Sequence, residues 1–318
     1  MNQQIKLAMV FPGQGSQSTA MMRAYGDGVA PALVRTTFVE ASEALGRDLW
    51  ALAEEGSEEE LSRTVNTQPI MLAAGVAVYR LWRDMGGAEP QLLAGHSLGE
   101  FSALVVADVL RFGDAIRIVE RRGQAMQQAV PAGTGAMAAL LGLDLEGVEA
   151  VCAEAAQGQV VSPANLNAPG QTVIAGQAEA VRRAVELARP RGAKKAVLLP
   201  VSAPFHCALM APAAATLRDL IAGVQFSPPR IPVVNNVDVV MENEPERIRD
   251  ALVRQVCAPV RWIEVVQMLV RAGATHVVES GPGKVLGALT KRIDAGVISM
   301  TLSDGAALSK LRAELGTS

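Results

Sequence analysis

The sequence predicts an α/β fold in which a mostly parallel sheet carries helices on both faces and a small second domain is inserted. Two observations lead to this prediction. Strand and helix patterns alternate in the first and last parts of the 318-residue chain, and such alternation is typical of a parallel sheet covered on both sides. Between them, residues of about 131–202 follow the order β-α-β-β-α-β, which is that of the ferredoxin-like split motif.

The first segment, residues 1–130, opens with alternating strands and helices. The short apolar runs Lys6–Phe11 and Gln91–Ala94 predict strands. Longer stretches with helical periodicity predict helices over Gln68–Met85, Leu98–Leu110 and about Ala115–Ala129. Each strand is followed by a helix, so we expect the strands to be parallel neighbours in one sheet.

The inserted segment changes this rhythm. Its predicted elements are strand Gly135–Leu141, helix Leu145–Ala156, strand Val160–Asn165, turn Asn167–Gly170, strand Gln171–Ala175, helix Ala178–Ala188 and strand Lys194–Leu199. We therefore expect residues 131–202 to form a small ferredoxin-like domain, while residues 1–130 and 203–318 form the large domain. Ligands often bind in the cleft between two domains, so we expect the site there.

The last segment returns to alternation. Its predicted elements are helix His206–Gly223, strand Ile231–Asn235, helices Pro245–Val256 and Trp262–Ala272, and strands Thr275–Glu279 and Val297–Leu302, each of these two strands followed by a helix.

Composition excludes several classes of protein. The net charge of −3 gives no reason to expect nucleic acid or a membrane surface as a partner. No apolar run approaches the roughly 20 residues that span a bilayer, and the N-terminal apolar run ends too early for a signal peptide. Three cysteines without Cys-x-x-Cys spacing predict neither disulfides nor a metal site. We therefore expect a reduced, cytoplasmic protein.

The stretch Gly95-His96-Ser97-Leu98-Gly99 has the form of a nucleophile elbow. Ser97 would lie on a strained turn between strand and helix, and the flanking glycines let the two elements approach closely. The free N–H groups of the helix N-terminus can stabilise an oxyanion there. We expect a hydrolase-like large domain with Ser97 as a nucleophile. The alternative is a non-catalytic scaffold in which Ser97 is only a turn residue.

A serine nucleophile needs a base, and the chain has three histidines. His96 adjoins Ser97, where neighbouring side chains diverge, and His276 lies inside a predicted strand. His206, in the connection that leads into a helix, is the best placed. No aspartate between Ser97 and His206 stands out as a third member. This favours a dyad whose histidine is oriented by an uncharged acceptor such as a backbone carbonyl.

Arg122 lies at the margin of the apolar stripe of its helix, whereas Arg121 points the opposite way. A partly buried guanidinium needs an anion, and a carboxylate that accepts two hydrogen bonds matches it best. An internal salt bridge to an aspartate or glutamate and a substrate carboxylate both remain open at this point.

Five motifs, collinear over nearly the whole chain, resemble those of the malonyl-CoA:acyl-carrier-protein transacylase family. They are Phe11–Gln17, Gly95–Glu100, Arg122–Gly123, Ala164–Gln171 and Ala203–His206. The resemblance implies a ping-pong transfer of malonyl from malonyl-CoA, through a malonyl-serine, to the phosphopantetheine thiol of an acyl carrier protein, feeding fatty acid synthesis. It implies no cofactor, because malonyl-CoA is a substrate and the partner carries the phosphopantetheine.

The resemblance also assigns roles to single residues. It implies that Ser97 attacks the thioester while His206 takes and returns its proton. Gln14 and Leu98 would supply backbone N–H groups to the oxyanion. Arg122 would hold the free malonyl carboxylate. Gln255 would orient the histidine through its carbonyl.

Two further residues belong to the expected substrate site. Phe205 resembles the malonyl-selective form of the family, where bulk disfavours a branched methylmalonyl unit. Asn165 is expected to contact substrate, although turn or packing roles for Asn165, Asn167 and Phe205 remain open. The alternatives for the whole protein are an acyltransferase of a polyketide or other malonyl-using pathway, and a serine hydrolase such as a thioesterase. A hydrolase would not explain an inward arginine.

A run of positive charge could receive the carrier protein, because the resemblance implies an acidic partner. The run consists of Arg182, Arg183, Arg189, Arg191, Lys194 and Lys195, with Glu186 as its one acid. A solvated helix face is the alternative interpretation. We expect the protein to be a monomer.

Overall fold

The computed structural model describes residues 5–26, 28 and 31–315. Its strands are β1 (Leu7–Phe11), β2 (Leu92–Gly95), β3 (Gly135–Leu141), β4 (Val161–Ala168), β5 (Gln171–Gln177), β6 (Lys195–Leu198), β7 (Val233–Val234), β8 (His276–Ser280) and β9 (Ile298–Leu302). Its α-helices are α1 (Ala32–Leu45), α2 (Leu49–Glu55), α3 (Glu58–Ser62), α4 (Thr64–Asp84), α5 (Gly99–Val106), α6 (Phe112–Gln128), α7 (Leu145–Ala156), α8 (Ala178–Ala188), α9 (Ala211–Ala222), α10 (Pro245–Gln255), α11 (Trp262–Arg271), α12 (Val285–Ile293) and α13 (Gly305–Leu315). Short 3-10 helices cover Met21–Tyr25 and Ala208–Met210.

The first sheet has five strands in the order β7-β2-β1-β8-β9, and all its neighbours are parallel. The predicted parallel sheet is therefore confirmed. Phe11, the last residue of β1, pairs with Gly95, the last residue of β2. The loops that follow these two strands consequently start side by side at the carboxyl edge of the sheet, which is where ligands bind in open α/β sheets.

Helices cover both faces of this sheet, as alternate side chains of β1 demonstrate. Met9 and Phe11 belong to one buried cluster, which includes residues of α4, α5 and α6. Ala8 and Val10 belong to another, which includes residues of α11 and α12. Because successive strand side chains point to opposite faces, the central strand is buried on both sides, which explains its unbroken apolar sequence.

The second sheet has four antiparallel strands in the order β4-β5-β3-β6. Helices α7 and α8 pack on it, and their apolar residues share one buried cluster with β3 and β5. The outer strand β4 is also hydrogen-bonded to the segment between α10 and α11. Leu166 donates its backbone N–H to the Val260 carbonyl, and the Val260 N–H donates to the Ala164 carbonyl, both at 2.9 Å.

Several elements differ from the sequence-based expectation. Residues between β1 and α4, for which no element was predicted, contain α1, α2 and α3. The helix predicted from His206 begins later, because His206 has φ of +61° and the α-helix itself starts at Ala211. The strand predicted over Ile231–Asn235 shortens to two residues, since the Asn235 side chain accepts backbone N–H groups in the turn that follows. Among the described residues, no helix is long and apolar enough to cross a membrane.

Candidate active site

Ser97 lies on a sharp turn between β2 and α5. Its φ is +51°, a left-handed conformation that strains any residue except glycine. A Cβ at Gly95 would lie 1.9 Å from the carbonyl carbon of Gly99, and a Cβ at Gly99 would lie 2.0 Å from the Phe11 oxygen. Both positions therefore require glycine, and the close approach presents the Ser97 hydroxyl at the carboxyl edge of the sheet.

The Ser97 hydroxyl faces His206. Its Oγ lies 2.8 Å from His206 Nε2, while His206 Nδ1 lies 2.9 Å from the backbone oxygen of Gln255. A carbonyl only accepts, so Nδ1 carries the proton and the lone pair of Nε2 points at the hydroxyl. Burial, together with the charge of Arg122, lowers the pKa of His206 to about 3. The imidazole is thus neutral at neutral pH and able to accept a proton.

Arg122 approaches the same hydroxyl from α6 and is almost fully buried. Its Nη2 donates to Ser97 Oγ at 3.2 Å and to Gln255 Oε1 at 2.8 Å, and its Nη1 donates to Gln68 Oε1 at 2.9 Å. These acceptors are neutral, and Nε has no partner among the described residues. Burial lowers the pKa of Arg122 to about 10, so it stays a cation at neutral pH. The structure therefore offers a buried positive charge rather than an internal salt bridge.

Two predicted oxyanion donors border the same cavity. Gln14 follows β1 and Leu98 follows Ser97, and both line the space in front of the hydroxyl. In the part of the chain that is described, neither backbone N–H donates to another protein group. The Ser97 N–H, in contrast, is taken by Asn236 Oδ1 at 2.7 Å. The N–H groups of Leu98 and Gln14 are thus without a protein acceptor in the described residues, and their oxyanion role stays a prediction.

The cavity, of about 440 Å³, lies between the two sheets. Ser97 and His206 line it from the side of the parallel sheet, and Asn165 and Leu199 line it from the side of the antiparallel sheet. Phe205 also lines it and is 8% exposed. Residues of both sheets therefore face this cavity.

The other two histidines lie apart from the base position. His96 Nε2 is 2.9 Å from Asn167 Oδ1, and burial lowers the pKa of His96. His276 is on β8, and its Nδ1 lies 2.9 Å from the hydroxyl of Thr275. Of the three, only His206 has a ring nitrogen hydrogen-bonded to Ser97.

Three further residues, for which the sequence predicted no role at the site, hold this arrangement together. Gln68 accepts a hydrogen bond from Arg122, and Asn236 bridges the Ser97 N–H and the Gly95 carbonyl. Glu100 Oε2 accepts from the Asn236 N–H at 3.0 Å and from Gln255 Nε2 at 2.9 Å. Glu100 stands in a quoted motif, but an acid in the first turn of a helix is already explained by the helix dipole. Nothing in the sequence connects Asn236 with a serine 139 residues earlier.

The basic run, which extends from α8 into β6, is partly neutralised within the protein. Arg182 pairs with Glu179, Arg191 pairs with Glu154, and Arg183 donates to the backbone oxygen of Ala155. Arg189, Lys194 and Lys195 are exposed and take part in no salt bridge within the described residues. The positively charged surface is therefore smaller than the sequence suggested.

Comparisons with known proteins agree with these features. The acyl transferase domain family matches residues 8–293. The malonyl CoA-acyl carrier protein transacylase of Salmonella typhimurium is 53% identical over 304 residues, which cover 96% of this chain and 98% of that protein. The one of Bacillus subtilis is 43% identical over 300 residues, 94% of each chain.

Solved structures are similar over the same extent. The acyl-carrier-protein S-malonyltransferase from Burkholderia pseudomallei is 53% identical, with a TM-score of 0.94 over 97% of this chain and 100% of that one. A malonyl-transacylase in complex with its type II PKS acyl-carrier protein is 52% identical, with a TM-score of 0.95 over 97% of this chain and 99% of that one.

Proposed function

Because the chain belongs to the acyl transferase family, among its malonyl CoA-acyl carrier protein transacylases, we propose that it moves malonyl from malonyl-CoA to the phosphopantetheine thiol of an acyl carrier protein. It is an acyltransferase. One observation supports malonyl as the acyl group that is transferred. The Ser97 hydroxyl has neutral His206 on one side and the cation Arg122 on the other. One side chain takes the proton, and the other attracts the carboxylate that distinguishes malonyl from acetyl.

In the first half-reaction, Ser97 Oγ attacks the thioester carbonyl carbon while His206 Nε2 takes the hydroxyl proton. The resulting oxyanion accepts hydrogen bonds from the N–H groups of Leu98 and Gln14, a type of donor worth about 3 kcal/mol of barrier. Collapse breaks the carbon–sulfur bond, and the leaving CoA thiolate receives the proton from His206. The product is a malonyl ester of Ser97.

The second half-reaction reverses these roles. The carrier thiol gives its proton to His206 and attacks the ester carbonyl. The same N–H groups stabilise the second oxyanion. Collapse then releases Ser97 Oγ, which recovers a proton from His206, and the malonyl group leaves as a thioester of the carrier. Gln255 holds the ring of His206 through its backbone oxygen during both steps.

Substrate selection is assigned to three residues around the hydroxyl. Arg122 binds the free carboxylate, a role supported by its burial and its neutral hydrogen-bond partners. Phe205 occupies space beside the acyl group and disfavours a methyl branch. Asn165, which is 9% exposed, contacts substrate from the antiparallel sheet.

We also propose a nucleophile elbow at Ser97 and a division of the chain into two domains. The turn at Ser97 is a nucleophile elbow, which its positive φ and the packing of Gly95 against Gly99 support. Residues 131–202 form an inserted ferredoxin-like domain, which the antiparallel order β4-β5-β3-β6 and the two helices on one cluster support. Residues 1–130 and 203–318 form the large domain.

The docking surface for the carrier is proposed on the exposed part of the basic run. Arg189, Lys194 and Lys195 carry this role, since the remaining members pair with groups of the protein itself. We also propose that the protein is a monomer and lies in the cytoplasm. Three free cysteines, with Cys152 and Cys207 buried, are consistent with a reducing compartment.

Fatty acid synthesis is the proposed pathway, and a polyketide carrier is the second candidate. The second candidate rests on the similar malonyl-transacylase that was solved with a type II PKS acyl-carrier protein. Malonylation rates measured with purified carriers of both kinds separate the two.

The proposed function is tested by incubating the protein with malonyl-CoA and measuring its intact mass by mass spectrometry. Wild type is expected to gain one malonyl group, and Ser97→Ala is expected to gain none and to transfer none. Ser102→Ala, which removes a buried hydroxyl one turn into α5, is the matched control and keeps transfer. Rapid release of malonate without an adduct would indicate a hydrolase, and full activity of Ser97→Ala would indicate that Ser97 is only a turn residue.

A further inference from the structure

We propose that Glu100 is a positioning residue for the transfer, which fixes the side-chain amide of Gln255 and the backbone of Asn236 and acts through them on Arg122 and Ser97. This inference rests on the proposed function. Glu100 touches none of the reacting atoms. It lies in the first turn of α5, three residues after the nucleophile, and is 1% exposed.

The first of the two connections runs through the amide of Gln255. Its Nε2 donates to Glu100 Oε2 at 2.9 Å and to the Ser97 carbonyl at 3.1 Å, and its Oε1 accepts from Arg122 Nη2 at 2.8 Å. A side-chain amide can turn by half a revolution and exchange its oxygen and nitrogen. With the accepting oxygen of Glu100 on one side, only the observed orientation avoids placing oxygen against oxygen. Glu100 thereby keeps the amide oxygen directed at Arg122.

This orientation determines where the guanidinium points. Arg122 Nη2 is shared between Gln255 Oε1 and Ser97 Oγ. If the amide turned, its NH₂ group would face the guanidinium donors and displace them from the serine. The side chain of Glu100 therefore acts, through Gln255, on the guanidinium that is assigned to hold the malonyl carboxylate.

The second connection runs through Asn236. The same oxygen, Glu100 Oε2, accepts the Asn236 backbone N–H at 3.0 Å. The Asn236 side chain then accepts the Ser97 N–H and donates to the Gly95 carbonyl, both at 2.7 Å. These bonds hold the strained turn from both ends. Glu100 thus supports the conformation of the nucleophile as well as the orientation of the arginine.

These contacts distinguish Glu100 from the acid of a catalytic triad. The acceptor for His206 Nδ1 is the Gln255 backbone oxygen, not a carboxylate. Loss of Glu100 should therefore leave the base in place. It should affect malonyl more than an acyl group without a carboxylate, because only malonyl needs Arg122.

The experiment compares steady-state kinetics with malonyl-CoA and acetyl-CoA for Glu100→Ala and Glu100→Gln, normalised to folded enzyme. For Glu100→Ala we expect kcat/KM to fall about 100-fold with malonyl-CoA and about tenfold with acetyl-CoA, a range that fits the loss of two buried hydrogen bonds. Much of the extra malonyl loss should appear as a higher KM. Glu100→Gln retains an oxygen that can accept both bonds and is expected to stay within about threefold of wild type.

The matched control is Glu279→Ala. Glu279 is also fully buried, but its hydrogen bond goes to the Gly287 N–H. It should lower thermal stability without changing the malonyl-to-acetyl ratio. Equal losses for both substrates in Glu100→Ala would overturn the proposal, and so would a Glu100→Gln variant as damaged as Glu100→Ala.

A third variant, Glu100→Asp, tests the proposal if Glu100→Ala does not fold. Glu100→Asp keeps the carboxyl group but withdraws its oxygens by one methylene, and we expect kcat/KM with malonyl-CoA to fall about tenfold. Full activity of this variant would overturn the proposal. If the proposed function itself fails, wild type forms no malonyl-Ser97, a result that is separate from every outcome for Glu100.

Discussion

Arg122 is a buried cation whose present hydrogen-bond partners are all neutral. For Arg122→Ala we expect kcat/KM with malonyl-CoA to fall about 100-fold to 5,000-fold, since removing one partner of a buried ion pair costs about 3 to 5 kcal/mol. Activity with acetyl-CoA should rise relative to wild type, because a methyl group no longer has to lie beside an unpaired charge. Steady-state kinetics with the two thioesters measure both effects.

Arg121→Ala is the control for that substitution. Arg121 is the preceding residue of α6, is exposed and hydrogen-bonds to Gln124. It should leave both substrates unaffected. An unchanged malonyl preference in Arg122→Ala would refute the carboxylate role.

Glu279 provides a prediction about pH and stability. Burial raises the pKa of this carboxyl group to about 7. The unfolded chain ionises it near pH 4.5 and the folded protein does so only near pH 7, so its ionisation progressively destabilises the fold as pH rises through that window. Glu279→Gln should therefore be more stable than wild type at pH 8, on the order of 3 kcal/mol, and nearly equal at pH 4.5.

Urea denaturation at the two pH values measures the difference. Glu314→Gln changes an exposed glutamate of α13 and is expected to leave the stability difference from wild type the same at both. A gap for Glu279→Gln that does not depend on pH would contradict the assignment of its cause to ionisation.

At the scale of single residues, the sequence predicted those that carry recognisable motifs and missed those that support them. Ser97 was found from the glycine spacing, and Arg122 from its place beside an apolar stripe. Glu100 and Asn236 act through hydrogen bonds between distant segments, and these bonds exist only once β2 and β7 lie side by side. Helical periodicity and turn chemistry carry no information about such pairs.

At the scale of elements, the approach of β1, β2 and α5 depends on Gly99. A Cβ there would lie 2.0 Å from the Phe11 carbonyl oxygen. For Gly99→Ala we expect a loss of about 3 kcal/mol or more of folding free energy, because backbone must move to admit one methyl group. Chemical denaturation followed by circular dichroism measures the change.

Gly113→Ala is the control within a helix. At this position of α6 the nearest atom to a Cβ would be Ala44 Cβ, at an ordinary 3.7 Å. Replacing a helical glycine by alanine should stabilise the protein by about 0.5 to 1 kcal/mol. A Gly99→Ala variant as stable as wild type would show that strand and helix are not in forced contact.

The elements predicted best were those in which the apolar residues recur with one regular spacing. Strands β3 and β5 and helix α8 were recognised from patterns that the packing preserves. Helices α1, α2 and α3 were not predicted, and the start of α9 was placed too early. The positive φ of His206 interrupts the helical pattern there, and its cause is tertiary, since the ring must reach both Ser97 and Gln255.

At the scale of the whole molecule, the proposed docking surface predicts a selective effect of charge. Reversing Arg189, Lys194 and Lys195 to glutamate should raise the KM for the carrier protein about tenfold, from several exposed pairs of up to about 1 kcal/mol each. The KM for malonyl-CoA should not change. Varying each substrate separately in steady-state assays measures the two constants.

The control removes pairs of the same run without changing its net charge. Arg182 and Arg191 form salt bridges with Glu179 and Glu154, so replacing all four residues by glutamine should affect the KM for the carrier much less. If the triple variant weakened carrier and malonyl-CoA equally, the surface would not be a carrier site.

The neutral carbonyl that orients His206 has a consequence for what becomes of the malonyl ester. With no carboxylate behind it, and buried beside Arg122, the imidazole is a weak base. A weak base can deprotonate a thiol, whose pKa is about 8.5, far more readily than water, whose pKa is about 15.7. In the proposed mechanism we therefore expect the ester on Ser97 to react faster with a thiol than with water. This difference in acceptor acidity favours transfer over hydrolysis.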